Sequence, residues 1–258
     1  MLGCATAHNY LERDAPRYEG SLAPSEERAA PESLRVVTFN IEYAKRMQPA
    51  IRALREHAAL RAADVLLLQE MDAAGVEAVA AALGLNYVYF PSSRHPKTQR
   101  DLGNAVLSPW PIEAAWKLPL PHQSRIVHQA RAAVVARLRI GDHALRVYSL
   151  HLGSPFGASG SQRRAQAEAV LADARTSAEP VVIGGDLNSH GLGRVFVAAG
   201  FQWPTENVGG TRGGLSFDHV FARGLPVESA AGVARDVDAS DHRPVWTTLP
   251  FATSARRP

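Results

Sequence analysis

The chain has 258 residues, of which 46% are hydrophobic and 21% charged, with 20 Gly and 17 Pro dispersed along it; this excludes a collagen, a coiled coil and a wholly disordered protein. A net charge of +3 permits an anionic substrate without naming one, because the basic residues are scattered and form no dense block of the kind that tracks a phosphate backbone. No apolar run approaches the roughly 18 residues a spanning helix needs, and the single cysteine, Cys4, leaves no internal disulfide framework and no Cys-rich metal site.

In chain order, Leu2-Gly3-Cys4 followed by small residues resembles the end of a bacterial lipoprotein signal. That reading places the protein in the cell envelope, tethered through Cys4, with residues 1–33 as a tail; the alternative is an ordinary thiol on a cytoplasmic protein. Order is expected from Leu34. LRVVTFNI is a buried strand ending at Asn40, and Met47, Ile51, Leu54 and Ala58 fall at helical spacing. VLLLQE is a second strand, ending in Glu70. A helix around Val76–Leu83 and the strand LNYVYF follow, and then a polar loop from Pro91 to Asp101 whose Arg94, Lys97 and Arg100 read equally as contacts to an anionic substrate or as a solvated charged surface. From Asn104 the runs AVLS, IEAAWKL, AAVVARLRI and HALRVYSLHL predict a mostly antiparallel sheet. A helix over about Gln162–Arg175, the strand VVIGGD, and the strands FDHVFA and RPVWTTLPF complete one α/β domain over 34–250, with 251–258 a C-terminal tail.

Several of these apolar runs end in, or are met by, polar residues of one chemical kind: Asn40, Glu70, His151, Asp186 with Asn188, Asp218, and Asp241 beside His242. A core strand gains nothing from a terminal carboxylate, and one instance is an ordinary turn residue. Their repetition points to strand ends converging on one rim. Oxygen donors with two histidines suit Mg²⁺ or Mn²⁺ better than zinc, and such a cation is commonly shared with substrate phosphate. Cleavage of a phosphate ester by water, activated by a histidine that a carboxylate holds, is the chemistry this set serves.

The segments TFNIE, LLLQEMD, GNAVLSPWPI, YSLHLG, GGDLNSH, SFDHVFA and SDHRPV, in this order, resemble the endonuclease/exonuclease/phosphatase superfamily over about residues 34–250. The resemblance implies a four-layer α/β/β/α sandwich with the site at one rim between two mixed sheets. It implies Glu70 as principal metal ligand with Asn40 beside it, and Asp241 as a further ligand or a group behind the ligands. Asp186 and Asn188 would position the attacking water and bind phosphate; His242 would be the general base, oriented by Asp218. His151 matches a second histidine found in the deoxyribonuclease and sphingomyelinase branches, where it binds phosphate or acts as acid. The substrate implied is a phosphate ester: DNA, a phospholipid head group or a soluble ester. A monomer without a protein partner is expected, and the competing reading is a catalytically inactive envelope binding module on the same fold.

Other polar residues read as ordinary surface or packing groups. His57 is expected to be solvated, His8 to lie in the tail, and His219 to face away from Asp218. Arg131, Arg163 and Arg164 are expected in surface salt bridges, with an approach to the substrate phosphate as the alternative, and Trp110 and Trp116 in core or rim packing rather than as a base-stacking platform.

Overall fold

The computed structural model describes residues 6–24, 28–96, 98–226 and 229–251. Two sheets lie face to face. The first has the order β1 (His8–Asn9), β5 (Asn86–Arg94), β6 (Asp101–Ser108), β4 (Val65–Met71), β3 (Ser33–Asn40), β13 (Val245–Pro250), β12 (Ala230–Val233), with β2 (Tyr18–Gly20) also on β5. The second has the order β11 (Asp218–Arg223), β10 (Val181–Asp186), β9 (His143–His151), β8 (Ala132–Ile140), β7 (Ile112–Pro119). The pairs β3–β4 and β9–β10 are parallel and all others antiparallel, so each sheet is mixed.

Strand periodicity sorts the side chains into three cores. From β3 and β4, Val36, Val65 and Leu67 point inward to meet Val134, Val147 and Val182 of the second sheet. Val37, Phe39, Leu66 and Leu68 point outward, under α1 (Met47–Glu56) and α2 (Ala73–Leu83) through Ile51, Leu54, Val76 and Val79. The outer face of the second sheet, with Val135, Tyr148, Ile183 and Phe221, is covered by Ala167, Val170 and Leu171 of α3 (Gly160–Ala174) and Phe196 of α4 (Gly193–Ala198). The layers therefore run α/β/β/α. Asp72 caps α2 through the Gly75 N–H, and Ser159 with Gln162 forms a capping box on α3, which fixes where both helices begin.

Three features depart from the sequence reading. Residues 6–24 are not a free tail: β1 and β2 pair with β5, the Ala7 N–H donates to Val127 O, and the buried Lys117 ammonium donates to the Ala15 carbonyl at 2.7 Å. Short strands lacking periodicity carry no signal of their own, and here they borrow the edge of a long one. Cys4 lies outside the described residues, as do 252–258. The loop from Pro91 to Asp101 is shorter than expected, since β5 runs through Arg94 and β6 begins at Asp101; Arg94 pairs with Asp101 and Arg100 with Asp72, and Lys97 is outside the described residues. The sequence reading also passed over α4 and β12.

Candidate active site

Parallel pairing places the C-terminal ends of β3 and β4 side by side, and likewise β9 and β10. In the second sheet Asp186 is in register with His151 on one side and Asp218 on the other. Space for this comes from Gly185, at φ +147°, where a Cβ would come within 1.9 Å of Leu150 O. In the first sheet a break in register between Leu68 and Met71, with Glu70 at φ +57°, turns the Glu70 carboxylate out of the strand pattern to the rim. The turn Glu42–Ala44 keeps three successive non-glycine residues at positive φ, and from it the Tyr43 N–H donates to Glu70 Oε2 at 3.2 Å.

The result is a cleft of about 420 Å³ lined by Glu70, His151, Asp186, Asn188, Asp241 and His242. Asn40 reaches it through its Nδ2–H, which donates to Asp186 Oδ2 at 3.1 Å, and Asp218 through His242, whose Nδ1 lies 2.7 Å from Asp218 Oδ2. All eight residues singled out from the sequence thus meet in one place. They do not stand alike. Asn40, His151, Asp186, Asn188, Asp218 and His242 are buried, whereas Asp241 is exposed and ion-paired with Arg212 at 2.6 Å.

The Nε2 atoms of both histidines converge on Asp186 Oδ2, at 3.4 Å from His151 and 3.7 Å from His242. Burial and the nearby Asp218 charge push Asp186 up to about 7. Burial alone would lower His242, but the charge and hydrogen bond of Asp218, with the charges of Asp186 and Asp241, outweigh it and raise His242 to about 9. Asp218 accepts from Thr211 Oγ1 at 2.6 Å on the same Oδ2, while its Oδ1 is buried without a hydrogen-bond partner among the described residues. A carboxylate so poorly solvated binds its imidazole partner strongly.

Arg131 follows the second of its two sequence readings, the approach to the site. Among the described residues it has no salt bridge; it lines the cleft and its guanidinium lies 3.2 Å from His151 Nδ1. A guanidinium only donates, so Nδ1 accepts and the ring proton sits on Nε2, facing the cleft. Burial and then the Arg131 charge hold His151 well below its ordinary range. His151 is thus built as a neutral donor, which favours binding phosphate over acting as an acid. Arg163 donates to the Ser154 and Ala158 carbonyls, and Arg164 pairs with Glu168 on the surface. Sequence reasoning missed Arg212, Thr211 and Tyr43; the one available signal was the glycine-rich run GGTRGG around Arg212. His57 is not simply solvated, since it meets Asp236 at 3.1 Å, and His8 packs on Tyr10. His219 is buried against Trp203, and Trp110 is buried with its indole N–H on Asp64.

The donor chemistry fits a hard divalent cation at Glu70. Its carboxylate is buried, which raises its pKa despite the Arg131 and His242 charges and a hydrogen bond with Asn40, and its Oε1 stands 3.9 Å from His151 Nε2, beyond hydrogen-bond length. Asp186, Asp218 and His242 also place ligand atoms within 4.8 Å of one another, a second candidate set in which the Asp218–His242 contact already occupies one atom of each residue.

Residues 37–242 match the Endonuclease/Exonuclease/phosphatase family. The chain belongs to this family. Members of the family are hydrolases acting on phosphate esters. Two curated UPF0294 proteins of Vibrio cholerae strains are each 34% identical over 126 residues, 45% of this chain, and the match spans 43% of their length. The fold is shared with an endonuclease/exonuclease/phosphatase from Beutenbergia cavernae (TM-score 0.66, 22% identity, 86% of this chain and 72% of that one). It is also shared with D. rerio TDP2 complexed with single strand DNA product (TM-score 0.68, 16% identity, 86% of this chain and 100% of that one). At these identities the likeness is one of fold.

Proposed function

We propose that this family member is an Mg²⁺- or Mn²⁺-dependent phosphoesterase that hydrolyses a phosphate ester by direct attack of water, with His242 as general base. The observation that carries the reading is the Asp218–His242 pair at 2.7 Å, with the other ring nitrogen open to the buried cleft beside Asp186. Asp218 fixes the tautomer of the neutral ring, the form that the charge of a bound cation would favour against the upward shift of His242, and stabilises the imidazolium that forms as the water proton arrives at Nε2. Asp186, held by Asn40 Nδ2–H and by the Asn188 N–H at 2.8 Å, positions that water. Asn188 is itself anchored by its Nδ2–H on Leu152 O, and its amide oxygen remains for the cleft. His151 Nε2–H and the Arg131 guanidinium bind non-bridging phosphate oxygens. Glu70 and Asn40 would hold the cation, and Asp241 lies within reach behind them. Bound there, the cation supplies positive charge that neutralises the phosphate and the leaving alkoxide.

Hydrolysis of bis(p-nitrophenyl) phosphate tests this. Activity with Mg²⁺ or Mn²⁺, abolished by EDTA and reduced by orders of magnitude in Glu70→Gln with folding retained, is the expected result. Metal-independent turnover, or full activity of Glu70→Gln, overturns it; no turnover on any ester favours the inactive binding module.

A further inference from the structure

Seven large hydrophobic side chains are well exposed among the described residues, and three of them stand on the loops that frame this cleft. Phe156, 89% exposed, is on the loop 153–159 that leads into α3; Ile126, 64% exposed, is on the loop 120–131 between β7 and β8. Leu215, 57% exposed, is on the loop that carries the cleft-lining Arg212. We propose that the mouth of the cleft docks on an anionic phospholipid surface, with Phe156, Ile126 and Leu215 entering the interface and Arg125 beside them taking lipid phosphate.

The loops hold these side chains out by construction. The Arg125 N–H donates to Gly157 O at 3.0 Å, which ties the first two loops together next to their apolar tips. Gln166 Nε2–H donates to Pro121 O at 3.0 Å and anchors the pair to α3. Leu215 sits in a tight turn, its N–H on Arg212 O and its carbonyl accepting the Thr211 N–H, both at 2.8 Å. Isolated exposed apolar residues are normal on any surface, but a set of three around one opening, on braced loops, marks a contact face.

Charge on the same loops matches an anionic partner. From Ala114 to Gly141 and from His143 to Ala167 the sequence has no Asp or Glu. Arg125 is exposed and its guanidinium has no partner among the described residues, and His122 and His128 are exposed beside it. A nucleic-acid strand is the weaker match. It needs a series of free cations along the backbone and π faces for the bases. Here Arg212 is spent on Asp241 and Arg163 on backbone carbonyls, and two of the three apolar tips are aliphatic. Aliphatic and aromatic tips with an adjacent Arg are the pattern of an interfacial contact with acidic lipid.

The surface rests on the phosphoesterase reading only in lying beside the reaction, so binding is measured without turnover, in EDTA. The 258-residue chain, with Cys4 unmodified, is sedimented with vesicles of phosphatidylcholine alone or mixed with phosphatidylglycerol. Preferential binding to the mixed vesicles is expected, falling about tenfold or more in Phe156→Ser/Ile126→Ser and in Leu215→Ser. Arg125→Gln should remove the preference for acidic lipid, and Leu22→Ser and Val197→Ser, exposed apolar positions off the cleft, should bind as the parent does. Circular dichroism of each variant verifies its fold. Equal binding by the Phe156/Ile126 variant and the parent, or no vesicle binding by the parent, overturns the proposal. So does loss, in that variant, of binding to a fluorescent single-stranded oligonucleotide with vesicle binding intact. Failure of the hydrolysis assay leaves this measurement untouched.

Discussion

At the scale of single residues, the chemistry rests on two imidazoles held in opposite ways. His242 has its Nδ1 on a carboxylate, which raises its pKa to about 9 and makes Nε2 the atom that gives up and takes back a proton at the cleft; His151 has its Nδ1 on a guanidinium and so presents a fixed N–H. One site thus contains an exchanging nitrogen and a fixed donor of the same residue type, assigned by their partners. Asp218→Asn keeps the shape of the first pair but can leave the wrong nitrogen facing the water, and should lower kcat on the order of 10² or more. Because Asp218 acts through His242, the double variant with His242→Ala should be barely worse than His242→Ala alone in steady-state kinetics; multiplying losses would give Asp218 an independent role. For the second pair, Arg131→Met should lower kcat/KM about tenfold or more with a marked rise in KM. The ¹⁵N shifts of His151 should move from the Nε2–H to the Nδ1–H form, and Arg131→Lys should recover part of both. An arginine serving only the surface would change neither.

Among the elements, the N-terminal strands β1 and β2 depend on one unusual group, the Lys117 ammonium on β7. It is fully buried, with the Ala15 and Pro91 carbonyls as acceptors, and burial, only partly offset by the charge of Glu12, lowers its pKa to about 8. The unfolded chain binds this proton up to its ordinary value of 10.5, so between about pH 8 and 10.5 the unfolded state holds more protons and folding gains from each rise in pH. The gain is at most about 1.4 kcal/mol per pH unit. The Tm of the parent, measured against Lys117→Met, should therefore rise from pH 8 to pH 10 and be flat below pH 7. The same strands show why parts of the fold were illegible. β3, β4, β9 and β10 announce themselves as apolar runs that end in a polar residue, and their ends carry most of the site. β1 and β2 have two and three residues, too few for any period, and exist only because the edge of β5 is there to pair. Arg131 was left between two readings for a related reason: its partner His151 lies 20 residues on, at the far end of the neighbouring strand, and nothing local distinguishes an arginine aimed at a cleft from one aimed at solvent.

Across the whole molecule, the site works only if the two sheets keep their offset, since Glu70 and Asn40 come from one and His151, Asp186 and Asp218 from the other. A buried polar chain directly behind the cleft sets that offset. Thr38 Oγ1 donates to Gln69 Oε1 at 3.2 Å, Gln69 Nε2–H donates across the interface to Ser149 Oγ at 3.1 Å, and Ser149 Oγ donates back to Leu68 O at 3.1 Å. Asn104 adds a second bridge, its Nδ2–H on Ala132 O at 2.8 Å. These are polar groups beside a layer of apolar side chains, and apolar contacts there would resist sliding less because they have no direction. Ser149→Ala strands the Gln69 N–H and the Leu68 carbonyl without water, and should cost about 1–3 kcal/mol of stability in denaturant unfolding. Adding Gln69→Leu removes the stranded donor together with its partner, so the double variant should regain much of that stability. Activity should not return with it. Gln69 adjoins Glu70 in the chain and Ser149 lies two residues before His151, so without the bridge the carboxylate and the imidazole lose their fixed separation, and small displacements at a catalytic centre cost rate steeply. A double variant as active as the parent would show that apolar packing alone holds the sheets in register and that the polar chain serves stability only.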